Sequence, residues 1–541
     1  MSEDNGASRD VSLDDGLDVS VVLEDGANAD ADLKALLKPV ISTPFVVRPA
    51  FQAGLRTLTD DRFWIVTLPN ADRRSSSAAF ELARAIARRP GVSSARPVLV
   101  DSLVGEALVR PGQDTESVFG GCNSKDAGPA ERGWAPRGLG ALEAWEKSKG
   151  ADVTVASIDT GSSQHAQLAG LWSAKPHLNL VEGGADASDR FSQDVMLPNP
   201  GHGTLVASVV ASRGVIHPDG TTESDTAVTG MAPEADILPI RAIRSVVDIK
   251  QSRIPAAIEH AIAQDCDVII MALGSAFPIE PVEVALRAAV EAGMVVVCAA
   301  GNCVGPVVFP ARFAPQGLAC AVAAVDFEYR PWEKTSRGDA VTVSAFGEAV
   351  WGARLRSADG DRDEIAPSQG TTLASSLTAG AAALWLGAQG GRAKLKLAAD
   401  RAGVTVQRLF NEAIAATAFR PAGWGKGLGA GLVNAAALVR HPLPAAEETL
   451  NRIPLPVTHF TPLTKYLYLA AQEVDTVAGL EAAGVPEAAA AEALWRMAVT
   501  SAGRRMTAVE GRDAAEAPPS ADTTEFATAL AGRPRLRTLT H

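Results

Sequence analysis

The chain has 541 residues, 47% of them apolar, a formal net charge of -13 at pH 7 and a sequence pI near 5.2. The length leaves room for two to four domains, and the apolar fraction suffices for a large core. The acidic balance argues against a general nucleic-acid binder, which needs a basic face, and no stretch approaches the roughly 18 apolar residues of a membrane span.

Residues 1–55 begin "MSEDNGASRDVSLDDGLDVSVVLEDGANADADLK". This acidic stretch lacks an apolar core and predicts a largely disordered segment. It is not a secretory leader, which needs a basic start and then an apolar run. From Asp61 the pattern becomes regular. "DRFWIVTL" reads as a strand, and "SSAAFELARAIARR" as a helix with Phe80, Ala83 and Ala87 on one face and Leu82 and Ile86 beside it. Pro90-Gly91 stops the helix, and "ARPVLV" reads as a second strand. Residues 56–110 thus form a small α+β unit, and the Gly-, Pro- and Ser-rich residues 111–133 an exposed linker.

Between Val153 and Val325, within a domain expected over residues 134–440, short, continuously apolar runs alternate with amphipathic helices. The strand candidates are "VTVASID", "ADILPIRA", "DVIIMAL", "MVVVCAA" and "GLACAVAAV"; "IPAAIEHAIAQ" and "PVEVALRAAVEAG" fit crossover helices. Continuous hydrophobicity implies burial on both faces, so an α/β domain with a mostly parallel sheet flanked by helices is expected. Such sheets bind ligands beyond the carboxyl ends of their strands. Helical signals run from Gly391 to Val439 around the Gly-rich "GWGKGLGAG". Residues 441–541 form an Ala-, Glu- and Pro-rich extension, with a helix expected in "AAAAEALWRMAVTSAG" and then a mobile tail. Cys122, Cys266, Cys298, Cys303 and Cys320 form no C-x-x-C pair, and three fall in apolar runs as small buried fillers. A reducing cytoplasm is the expected compartment.

Three residues stand where chemistry is expected. Asp159 closes the strand in "VTVASIDTGSSQHAQL", where it either projects into a cleft or caps the next turn. His202 lies between glycines in "NPGHGTLVASVVAS", with Leu205, Val206, Val209 and Val210 at helical spacing after it. Its ring is approachable at a helix start, unless it only caps that helix. Asn302 follows an apolar strand in "MVVVCAAGNCVG", as a ligand-facing amide or as a turn asparagine.

Taken together, these segments resemble the subtilisin-like serine peptidases, the subtilase family, from about Trp134 to Leu438. "GHGTLVASVVAS" is similar to the histidine motif, "CAAGN" to the oxyanion motif, and "GMAPEADILPIRAI" and "DVIIMALGS" to the substrate-lining strands. The order Asp, His, hydroxyl also matches. The family's serine motif is Gly-Thr-Ser-x-Ala, but this chain has Gly370-Thr371-Thr372-Leu373-Ala374, with Thr372 at the serine position. Ser376, Leu377 and Thr378 replace the usual Pro-His-Val, and Ile270 and Ala272 stand where Asn and Ser are usual.

The resemblance implies a triad of Asp159, His202 and Thr372, with Asn302 in the oxyanion hole and no cofactor. It places a peptide or protein substrate along Arg244, Ser245 and Val246, Ala272, Leu273 and Gly274, and Ala299, Ala300 and Gly301. The 56–110 unit resembles the family's inhibitory propeptide, a partner in cis. A protein partner through the C-terminal extension is a further expectation; nucleic acid and membrane are not. Calcium is frequent in the family, but no acidic cluster here has ligand spacing. Ser375 and Ser376 lie about a turn from Thr372 and are not expected to replace it. Two other readings stay open. One is a catalytically dead pseudopeptidase that binds peptide or protein, the other an engineered, inactive Ser-to-Thr variant. A dinucleotide site at "GKGLGA" lacks the preceding strand it needs.

Overall fold

Two sheets organise the molecule. The computed structural model describes residues 16–24, 30–51, 61–71, 76–98, 128–192, 199–246, 250–275, 279–302 and 307–444. Residues 1–15, most of the expected linker and the extension from 445 lie outside the described residues.

The N-terminal unit is a four-stranded antiparallel sheet in the order β2-β3-β1-β4, formed by β1 (Leu17–Leu23), β2 (Val46–Pro49), β3 (Phe63–Leu68) and β4 (Val92–Val98). Helices α1 (Asp30–Leu37) and α2 (Ser76–Ala87) complete it. The disorder expected over 1–55 is therefore corrected for its described part. The unit runs from Leu17 to Val98 and does not begin at residue 56. β1 pairs with both β3 and β4, and every one of its residues is buried. A central strand satisfies its backbone through partners distant in sequence, so the composition of its flanks carries no sign of it.

The large domain holds a seven-stranded, all-parallel sheet in the order β11-β10-β9-β8-β5-β7-β6. The five expected strands are β5 (Thr154–Asp159), β7 (Asp236–Arg241), β8 (Val268–Met271), β9 (Val295–Ala299) and β10 (Cys320–Val325). The short β6 (Leu178–Asn179), β11 (Val343–Phe346) and the hairpin of β12 (Val350–Ala353) and β13 (Ile365–Ser368) carried no sequence signal of their own. The principal helices are α3 (His202–Ala211), α4 (Ile254–Ala263), α5 (Glu280–Glu291), α6 (Thr371–Ala388), α7 (Arg392–Ala402), α8 (Val406–Thr417) and α9 (Ala435–Arg440). α4 and α5 pack together and touch β5 and β9; α3 and α6 pack together and touch β5 and β7 to β11 between them. Covered in this way, the inner strands are buried throughout, as their unbroken hydrophobicity requires. Residues 128–133 also belong here, correcting the linker boundary: Trp351 Nε1 donates to the Pro129 carbonyl at 3.2 Å, and the Gly133 N–H to that of Gly220 at 2.8 Å.

The N-terminal sheet docks on the starts of α4 and α5. Asp18, Ser20 and Val22 stand opposite Thr67, Ile65 and Phe63, so all six share one face. Val22, Phe63 and Ile65 join the same apolar core as the large domain. Ser252, just before α4, donates to Asp18 Oδ2 at 2.6 Å and accepts from Arg48 at 3.0 Å, while Lys250 Nζ lies 3.4 Å from Asp18 Oδ1. The acid thus meets a hydroxyl and an ammonium group immediately before α4. Among the described residues no helix is long and apolar enough to cross a membrane.

The chain leaves β5 for β6 and β7 on one side and returns to β8 on the other. The carboxyl end of β5 is therefore the topological switch point, where a crevice opens.

Candidate active site

Asp159 is the last residue of β5 and is 1% exposed. Its Oδ1 accepts the Thr160 N–H at 2.7 Å and faces His202 Nδ1 at 2.8 Å. His202 opens α3 behind Gly201, whose φ of 74° lies in the left-handed region. A Cβ at Gly201 would stand 1.9 Å from the Leu355 carbonyl oxygen, and one at Gly203 would stand 2.1 Å from that of Gly161. The glycines on either side of the histidine therefore let the helix start lie directly on neighbouring backbone.

The other ring nitrogen, Nε2, faces Thr372 Oγ1 at 3.3 Å. Thr372 is the second residue of α6, beside the positive end of a long buried helix. Burial by itself lowers the His202 pKa. The charge and hydrogen bond of Asp159, with the charge of Asp189, outweigh that and hold the ring above its ordinary 6.5.

Asn302 is aimed by its neighbour. Its Oδ1 accepts from the Thr371 N–H at 2.9 Å and from Thr371 Oγ1 at 2.8 Å, and that hydroxyl accepts the Gly301 N–H at 3.2 Å. With the carbonyl end engaged, Nδ2 is the end left for a ligand, on an exposed residue next to Gly370. Asp159, His202, Thr372 and Asn302 thus come together from four segments of the chain. Ser375 and Ser376 do not join them: both hydroxyls are buried and donate to the Thr372 carbonyl, at 2.9 and 2.8 Å. Cys303 lies outside the described residues.

The expected substrate-lining residues divide. Gly274 and Gly301 are half-buried at the ends of β8 and β9, whereas Ala272, Leu273, Ala299 and Ala300 are buried beneath them. Arg244 and Val246 are half-buried, but the Ser245 side chain is fully buried and donates to Asn199 Oδ1 at 3.0 Å. Val308 was not anticipated. Its backbone N–H donates to the Ala300 carbonyl at 2.9 Å, and its side chain sits between the two wall glycines. A Cβ at Gly274 would lie 2.2 Å from Val308 Cγ2, and one at Gly301 would lie 2.9 Å from its Cγ1. "GPVVFP" follows the asparagine motif, but the sequence does not say that its second valine folds back between the walls.

An acid ending a central parallel strand, an imidazole and then a hydroxyl at two helix starts, in that chain order, define the subtilisin-like class of α/β peptidases. Residues 150–425, about half of the chain, match the model of the Subtilase family, and the chain belongs to that family. It is 29% identical over 261 residues to the intracellular serine protease of Paenibacillus polymyxa, covering 46% of this chain and 72% of that one. It is 29% identical over 263 residues to thermitase of Thermoactinomyces vulgaris, covering 48% and 84%. Among solved structures, fervidolysin of Fervidobacterium pennivorans, a keratinolytic enzyme related to subtilisin, has a TM-score of 0.54 at 19% identity, over 79% of this chain and 61% of that one. That likeness is one of fold.

Proposed function

We propose that the chain is an endopeptidase whose nucleophile is Thr372. Thr372 Oγ1 bonds to the peptide carbonyl carbon while His202 Nε2 takes its proton. His202 then gives that proton to the leaving amine as the C–N bond breaks. Water, deprotonated by the same ring, hydrolyses the threonyl ester and restores the hydroxyl. Asp159 orients the imidazole and stabilises its cation. Asn302 Nδ2 and the Thr372 N–H receive the oxyanion.

The observation that carries this reading is the 3.3 Å approach of Thr372 Oγ1 to His202 Nε2, on a ring already held by Asp159 at 2.8 Å. Pairs of this kind tighten when substrate binds. The rotamer that offers the hydroxyl to the ring is the one adopted, so the branched carbon does not forbid the contact. Its methyl still crowds the path of attack. Crowding of that order costs about 1–3 kcal/mol, or roughly 5- to 150-fold in rate.

Val308, filling the space between Gly274 and Gly301, supports a preference for a small apolar residue before the cut. The N-terminal unit acts as a propeptide in cis that stays attached, because a hindered nucleophile cleaves its own chain slowly. A denaturing gel that shows quantitative scission between residues 101 and 134 defeats that part. The three buried free thiols, Cys266, Cys298 and Cys320, fit a reducing compartment.

The test is labelling by a fluorophosphonate probe in three chains: wild type, His202→Ala and Thr372→Ser. Labelling of wild type that vanishes in His202→Ala is the expected result. Labelling of Thr372→Ser alone identifies a pseudopeptidase or an inactivated variant and overturns the reading.

A further inference from the structure

Asp189 lies on the connection between β6 and α3 and is 6% exposed. Three donors converge on it. Thr160 Oγ1 donates to Oδ2 at 2.7 Å, the Gly201 N–H to Oδ2 at 2.9 Å, and the Phe191 N–H to Oδ1 at 2.7 Å. The first two adjoin the triad in sequence: Thr160 follows Asp159, and Gly201 precedes His202. The Thr160 hydroxyl also accepts the Gly203 N–H at 3.1 Å, so it grips the far side of His202. One carboxylate thus closes a ring of contacts around the Asp159–His202 pair.

All three partners donate to Asp189 and none accepts, which suits an ionised carboxylate. Burial raises its pKa, against the pull of these donors and of Arg241. Arg241 is fully buried, pairs with Glu182 at 2.7 and 2.8 Å, and donates to the Thr160 carbonyl.

We propose that Asp189 is a positioning residue that ties the Asp159 and His202 segments together and adds a second negative charge to the surroundings of the imidazole. The proposal rests on the triad reading above. Among the described residues, the charges near the ring come from few places. β5 supplies Asp159 and the β6–α3 connection supplies Asp189. β7 supplies Arg241, which is turned to Glu182. α6 and β12, both packed on α3, carry no charged side chain. Among the described residues, removing Asp189 therefore leaves Asp159 as the carboxylate acting on His202. A residue that only organised its loop would leave the protonation of the ring unchanged.

The experiment titrates the His202 ring by NMR in the full chain with labelled histidine, the resonance being assigned by its loss in His202→Ala. Asp189→Asn is expected to move the midpoint to lower pH. Thr160→Val, which keeps both carboxylates, is expected to move it much less. In the Thr372→Ser chain both substitutions are expected to lower kcat about 10- to 100-fold with little change in KM. The acid limb of the rate profile is expected to shift down in Asp189→Asn alone. An unchanged His202 midpoint in folded Asp189→Asn overturns the proposal. Should that variant fail to fold, Thr160→Val decides, since an unchanged kcat there removes the tie. The NMR reading needs no turnover, so an inert triad and a silent Asp189 give different results.

Discussion

On the base side of the cleft, Asp159, Thr160, Asp189 and the Gly201–Gly203 turn are joined by contacts of 2.7–3.1 Å, and the three side chains are buried. On the nucleophile side, Thr372 meets the same histidine at 3.3 Å on a carbon that branching makes stiff. On the proposed reading, orientation of the acid and base is fixed in advance and the hindrance to attack lies at one methyl group.

Four substitutions and one titration break or sharpen that contrast. The largest effect belongs to the base side. In the Thr372→Ser chain, His202→Ala is expected to lower kcat by about 10⁶-fold, the size known from subtilisin itself; a loss under about tenfold means the ring is not the base. Asn302→Ala, in the same chain, should cost about 10²–10³ in kcat, again the subtilisin value for one oxyanion donor. Thr372→Ser alone should raise kcat/KM by roughly 5- to 150-fold, and no gain would show that the methyl is accommodated. Val308→Ala should shift the ratio of kcat/KM values toward a bulkier residue before the cut, by about tenfold, as read with paired peptide substrates.

The smallest effect is one of sign. His202 titrates above its ordinary 6.5, so its protonation stabilises the fold. That contribution is complete below the unfolded value and is lost as pH rises through the folded one. Catalysis needs the neutral ring, so activity should climb over the window in which this part of the stability declines. Thermal melts and initial rates across the same pH series check the opposed slopes.

The large domain was legible because its signals are local. Each inner strand is one unbroken apolar run, and each candidate site residue sits in a short motif at an element's end. Thr371 was visible within such a motif, but its hold on Asn302 was not. Asp189 follows another aspartate, Asp186, by three residues, and only the fold selects which of the two faces the candidate site. Val308 and Ser245 fail as sequence inferences for a related reason. A side chain's direction depends on how separate segments meet. β1 shows the same limit at larger scale: its alternation of Leu17, Val19 and Val21 with Asp18 and Ser20 was present, but the acidic composition on both sides masked it.

Chain order divides the molecule into a small unit and a large one, but its interior is continuous. Val22, Phe63 and Ile65 lie in one apolar core with residues of the parallel sheet and its helices. Peeling the small sheet away would bare that shared surface and leave Lys250 without its Asp18 counter-ion. Cooperative loss of structure by the two units is therefore the expected outcome, so that what topology counts as two bodies would melt as one.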